Sequence, residues 1–176
     1  MIDKRLVNLT DEYETQLAKL TAVVMPNVDQ IVERVYSALS YVASMHMLDN
    51  HAQQQLIGSY KLLVGMLFQG MSNSIDHEMN GLGQQYARQG IPVEFITSVM
   101  ALVHQELLDI ITQSEVLTPF DKIQSNQAIT AVIGYCQMHI QQAYSQASLH
   151  NELARFLKVT GISRRLFDNL AVEKLA

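Results

Sequence analysis

Among side chains that can ligate a metal, carry a proton or attack a substrate, this sequence has six histidines, one cysteine and seventeen acids in 176 residues. Few of them are spaced to act together. His150 with Glu152, and the run Asp76-His77-Glu78, come nearest to a metal-ligand set. Residues one or two apart on a helix splay to different faces, so neither group converges on an ion. The sequence has no phosphate loop, no Cys-x-x-Cys pair and no His-Glu-x-x-His helix. It also lacks a glycine-flanked nucleophilic serine of the hydrolase kind. The expectation is no metal site, no catalytic constellation and no enzyme in this segment. Nine methionines could line an adaptable pocket, though methionine more often fills irregular gaps in a core.

Composition narrows the class further. The chain is 48% hydrophobic and 16% charged, too apolar for a disordered segment. A net charge of −5 and a pI near 5.6 argue against nucleic acid, which needs a Lys/Arg surplus on some face. Cys136 has no cysteine to pair with, which fits a reducing cytoplasm. No apolar run is expected to reach the ~20 residues of a membrane span, and the start Met1-Ile2-Asp3-Lys4-Arg5 lacks the apolar core of a signal peptide.

The elements that must position these residues are all helical. Thr10 followed by Asp11 and Glu12 caps a first helix that Pro26 breaks. Val28, Ile31, Val32, Val35, Tyr36 and Leu39 carry a second at helical spacing. A third is expected from Asp49 to about Gly70, and a fourth from about Ser74 to Gln89, closed by Gly90. Pro92 opens a strongly apolar fifth helix. Thr118-Pro119-Phe120-Asp121 launches a long sixth, reaching towards Leu157. After Gly161, residues 163–170 read as a further short helical piece. The fifth and sixth helices are apolar on more than one side, which fits either a dimer interface or burial within the monomer. Gly81 and Gly83 point to an irregular or shortened fourth helix, or to a segment that reshapes around a ligand. Gly58 and Gly65 share a face of the third helix, where small residues would let another helix approach closely.

The stretch Tyr86-Ala87-Arg88-Gln89-Gly90-Ile91-Pro92-Val93-Glu94-Phe95-Ile96 is the most specific in the chain. It resembles the join between the fourth and fifth major helices of bacterial globin-coupled sensors, a protoglobin-like family that typically reads His-x-Arg-Ile-Gly-Ile-Pro here. Residues 20–39, with Pro26 and Val32-Glu33-Arg34-Val35-Tyr36, resemble the first two core helices of that family. The resemblance covers roughly residues 10–150. It implies an all-α globin-like sensor fold whose long last helix pair suits dimerisation. Residues 1–150 would form the sensor domain, and 151–176 a signalling helix or linker. Lys174-Leu175-Ala176 resembles the start of a vector-encoded tail, which would place an output domain downstream.

The family's haem-ligand position falls on Tyr86. Neutral imidazole is the usual proximal ligand of oxygen-binding globins, whereas tyrosine binds iron as a phenolate, as in catalase. A phenol with a free pKa of about 10 needs a cation beside it, and Arg88, two residues on, points to another face. His77, nine residues earlier, points about 180° away at ~100° per residue. His46 and His51 flank a loop, His104 reads as structural or interfacial, and His150 as surface. His139, beside the stripe Val132/Cys136/Ile140, is the alternative ligand. By the resemblance, Tyr36 and Leu56 would line the distal side of a pocket above Tyr86.

Three functional readings follow. The first is a cytoplasmic signal-input domain without His-ligated haem, close to the haem-less stressosome-type sensor globins. It would work as a homodimer and drive a downstream domain such as a cyclase or kinase, or a partner protein. The second is a gas or redox sensor that binds haem through Tyr86 or His139. The third is a helical adaptor with no small ligand. Haem is the one cofactor that the resemblance brings with it, and no nucleic acid or membrane partner is expected.

Overall fold

The computed structural model describes residues 10–40, 50–68, 73–165 and 167. Six α-helices make up the described chain: α1 Asp11–Val24, α2 Val28–Leu39, α3 Asn50–Phe68, α4 Asn73–Gln89, α5 Val93–Gln113 and α6 Pro119–Thr160, with no strand among the described residues. The expected order of helices is observed, and the fold is all-α.

The prolines act as expected. Pro26 sits in a 3-10 turn, Met25–Asn27, that bends α1 into α2. Pro119 is at the first helical position of α6. There Thr118 and Asp121 form a reciprocal capping box: the Asp121 N–H donates to the Thr118 hydroxyl (3.2 Å), and the Thr118 N–H donates to the Asp121 carboxylate (3.2 Å). At the start of α1, Thr10 accepts from the Tyr13 N–H.

α6 is the spine. Its 42 residues span ~63 Å at about 1.5 Å each. Its inner face packs on α4, α5 and α1, and its closest pairing is with α4. Ile129, Val132, Cys136 and Ile140 lie in a single core with Leu17 and Leu20 of α1, Ile31 and Val35 of α2, Leu63 and Leu67 of α3, Met79 of α4 and Val99, Val103 and Leu107 of α5. One polar link crosses this core where sequence periodicity gave no sign of it. The buried Gln16 of α1 donates to the Ser125 hydroxyl of α6 (3.0 Å), so each amphipathic helix spends one inner position on the other.

Several expectations change. α4 is unbroken across Gly81 and Gly83. Gly83 lies where α4 crosses α6: a Cβ there would collide with the Ile140 carbonyl oxygen and sit 3.0 Å from the Ala143 Cβ. That close approach, not irregularity, explains the residue. The glycine face of α3 is the reverse case. Gly58 is exposed, and a Cβ added there would meet nothing within 4 Å. Gly58 and Gly65 border an open groove with Met25, Val28 and Leu62. Among the described residues, no helix lies against Gly58. α5 is, by length and composition, long and apolar enough to cross a membrane, contrary to the expectation. It is instead a core helix, with Phe95, Ile96, Val99, Met100, Val103, Leu107 and Ile111 buried. His104 bridges to Thr130 of α6 (3.1 Å), a tether between the two helices. α6 runs past residue 150 without a break and ends at Thr160, where Gly161 takes the left-handed conformation (φ +69°). The chain then turns back, and Phe167 meets Phe156 edge-on at 6.2 Å between ring centroids.

Candidate functional site

The corner between α4 and α5 is built as its sequence implies. Gly90 has φ +67°, a conformation that costs most residues steric strain. The Ile91 N–H donates to the Tyr86 carbonyl (3.0 Å) and the Gly90 N–H to that of Ala87 (3.3 Å). These two bonds form a Schellman closure, which satisfies the last carbonyls of α4 and folds Ile91 back over it. The Pro92 carbonyl then accepts from the Phe95 N–H (3.1 Å) and starts α5. Tyr86 is therefore pinned through its own carbonyl, one turn before the bend.

The Tyr86 side chain is buried and points into a small enclosed cavity. Its walls come from Tyr60 and Leu63 of α3, Leu82 and Tyr86 of α4, Ile91 of the corner, Phe95, Ile96, Val99 and Met100 of α5 and Ile140 of α6. The cavity measures about 10 Å³, about the room one water molecule needs. Among the described residues no charged side chain lines it. Burial pushes the Tyr86 phenol up to about 12, against an opposing hydrogen bond with the Ser59 side chain. Burial, with the neighbouring Tyr86, drives the Tyr60 phenol further upwards. Both rings are thus neutral phenols at any physiological pH. The Tyr60 hydroxyl is buried and has no hydrogen-bond partner among the described residues.

Of the four candidate site residues, Tyr36, Leu56, Tyr86 and His139, Tyr86 alone lines this cavity among the described residues. Tyr36 is half-buried against the core but is not among the lining residues, and the Leu56 side chain lies outside the described residues. His139 belongs to a different cluster. It is 3% exposed, packs on Tyr135 (ring centroids 4.7 Å apart) and places Nε2 3.7 Å from Asp76. Tyr135 donates to the same carboxylate at 2.8 Å. Arg88 is exposed and donates to Gln84, away from the phenols. His77 and His150 are exposed; His46 and the His51 side chain lie outside the described residues. Among the described residues no group of three or more His, Cys, Asp or Glu could hold a metal ion. Cys136 is fully buried and its thiol is pushed up to about 12, which removes the thiolate that redox chemistry requires.

The residue that sequence reasoning missed is Tyr60. Its signal was present: Tyr60, Leu63, Val64 and Leu67 recur at helical spacing along the inner face of α3. A tyrosine in such a stripe ordinarily reads as core packing.

The Protoglobin family matches residues 3–150. The chain belongs to the Protoglobin family. Among solved structures, the globin domain of the Geobacter sulfurreducens globin-coupled sensor is similar to this protoglobin domain. The TM-score is 0.69 and the identity 19%, over 80% of this chain and 94% of that one. No curated protein matches the chain. The fold and family are those that the Tyr86–Ile96 corner implied.

Membership brings haem into question, and the described residues around Tyr86 do not fit one. Tyr86, which the resemblance puts at the ligand position, is a neutral phenol engaged with Ser59, and among the described residues no cation lines its cavity to stabilise a phenolate. His139 faces Asp76 and Tyr135 instead of the cavity. The space beside Tyr86 is far smaller than a porphyrin ring.

Proposed function

We propose that this chain is the signal-input domain of a bacterial cytoplasmic signalling protein, a sensor globin that works without His-ligated haem. The supporting observation is the state of Tyr86: a buried phenol, raised to about 12, hydrogen-bonded to Ser59 in a cavity that holds about one water. A haem-binding sensor using Tyr86 or His139 draws its support from family membership, and the ligand geometry speaks against it. An adaptor without any small ligand is the remaining reading, and the unpartnered Tyr60 hydroxyl speaks against that.

The working unit is a homodimer through the outer faces of α5 and α6. Between Lys122 and Glu152 the sequence has no Asp, Glu, Lys or Arg. A helix face left to solvent ordinarily carries charge. Phe120, Ile123, Leu149, Phe156 and Val159 are exposed along α6. At ~100° per residue they share one side, with Thr130, Gly134 and Met138 between them. Residues 151–176 would form the outgoing signalling helix or linker, with Gly161 as its joint, leading to a cyclase, a kinase or a partner protein. The domain itself has no catalytic role in this reading.

Incubation with excess haem tests the proposal. The expected result is no Soret band beyond that of free haem. A stoichiometric band that Tyr86→Phe abolishes would overturn the reading in favour of tyrosine ligation.

A further inference from the structure

We infer that the Tyr60–Tyr86 cavity is a binding site for a small uncharged molecule that presents one hydrogen-bond acceptor, of the short-chain ketone or alcohol class. The inference rests on the haem-free reading of the same interior and names what that interior would sense.

The chemistry of the walls selects the ligand. Apart from two phenols, the lining is hydrocarbon and the Met100 thioether. A carboxylate or ammonium entering such a space would lose its hydration without gaining a counter-charge, which costs far more than hydrocarbon contacts return. Charged ligands are excluded. The two phenols are not equivalent, however. The Tyr86 hydroxyl is engaged with Ser59. The Tyr60 hydroxyl is buried, neutral and without a partner among the described residues, and an unmade hydrogen bond in a buried position is destabilising. A carbonyl or hydroxyl oxygen placed against it would accept that O–H and relieve the cost. An alkane of the same size would not.

The walls can also give way. The cavity is water-sized, so a ligand body of a few carbons must displace side chains. Met100 is the lining residue with the most freedom to repack. Gly81, directly before Leu82, is exposed, and a Cβ there would meet nothing within 4 Å. Packing does not demand a glycine at that point. A glycine inside a helix is less favourable than alanine, so the turn of α4 that carries Leu82 gives way more readily than an alanine there would allow, while Gly83 keeps the helix in close contact with α6.

The experiment uses the full chain with 13C-methyl methionine, in which the Met100 methyl reports on the cavity and Met100→Leu assigns its signal. Butanone is titrated, with butanoate as the charged molecule of matching size. Butanone is expected to shift the Met100 signal saturably and butanoate to leave it unmoved. Tyr60→Phe should weaken butanone binding about fivefold to tenfold, the usual loss for one buried hydrogen bond. The same variant should have a thermal midpoint at or above that of the wild type, because it removes an unpartnered hydroxyl, so loss of binding cannot be ascribed to unfolding. An unmoved Met100 signal, which would leave the space to a single water, overturns the inference. So do equal affinity in Tyr60→Phe and an equal response to butanoate. The haem titration fails or succeeds independently: a Soret band would overturn the haem-free reading whatever butanone does, and a silent Met100 without a Soret band would overturn the cavity's role as a ligand site and leave the haem-free reading standing.

Discussion

Tyr86 occupies the position that a family resemblance assigns to an iron ligand, yet its surroundings suit a different residue from histidine. The ring shares a water-sized cavity with Tyr60, Leu82, Phe95 and Met100, so restoring imidazole would restore a donor atom without the space for a ring system to meet it. Tyr86→His is accordingly expected to give no Soret band with excess haem. A clear band from that single change would mean that the cavity opens far more than its packing implies. A second prediction concerns His139. Burial holds its imidazole below the ordinary histidine range, partly offset by the Asp76 carboxylate. The unfolded chain therefore binds a proton in a pH range where the folded chain does not. Stability should fall as pH drops below about 6.5, the ordinary histidine value, and the loss should level off only below the folded value. Urea midpoints measured from pH 7.5 to 5 should decline less steeply in His139→Phe than in the wild type. His104, also lowered by burial, adds a slope common to both proteins. Equal slopes would show that His139 is not the group responsible. At this scale sequence and structure part company. Tyr86 was legible because Gly90-Ile91-Pro92 forms a corner with a fixed hydrogen-bond pattern. Tyr60 and the Asp76–Tyr135–His139 cluster were not, because they depend on which residues of separate helices meet.

Element boundaries were the most readable level. Caps and prolines act locally, so Thr10, Thr118, Pro119 and Gly90 marked helix ends without knowledge of the fold. Glycines inside helices were the opposite case, since their meaning depends on what lies across the interface. Gly83 and Gly81 make a direct comparison within two residues of one helix. At Gly83 a Cβ would collide with backbone of α6, which cannot move aside as a side chain can. Gly83→Ala is expected to destabilise by about 2–3 kcal/mol, towards the upper end for overpacking. At Gly81 nothing stands in the way, and alanine should stabilise by about 0.5–1 kcal/mol through its helix propensity. Chemical denaturation of the two variants provides the check. Gly83→Ala proving neutral would mean that α4 and α6 are not held at this separation. If Gly81 softens the cavity wall, Gly81→Ala should also weaken butanone binding despite raising stability, a divergence that a purely structural glycine would not produce.

For the molecule as a whole, α6 presents a problem that the monomer does not solve. From Phe120 to Phe156 its outer face extends ~54 Å at about 1.5 Å per residue, with a helix width of about 10–12 Å. That strip offers on the order of 600 Å² per copy, and Thr97, Ala101 and Leu108 along α5 extend it. The sum approaches the ~800 Å² per partner of a stable protein–protein interface. A two-fold arrangement would bury the same strip on both copies and cover the side chains that the monomer leaves in water. It would also set two cavities either side of one shared helix pair, since Ile140 lines the cavity from α6 while Met138 and Gln141 beside it stay partly exposed. A ligand that shifts Ile140 would then move the interface directly. Light scattering at about 50 μM should give twice the 19.8 kDa of one chain. Met138→Glu, which sets two like charges near the symmetry axis, should return the protein to the monomer mass with unchanged helical circular dichroism. A wild type that runs as a monomer, or a Met138→Glu variant that stays dimeric, would mean that the uncharged face of α6 serves another partner.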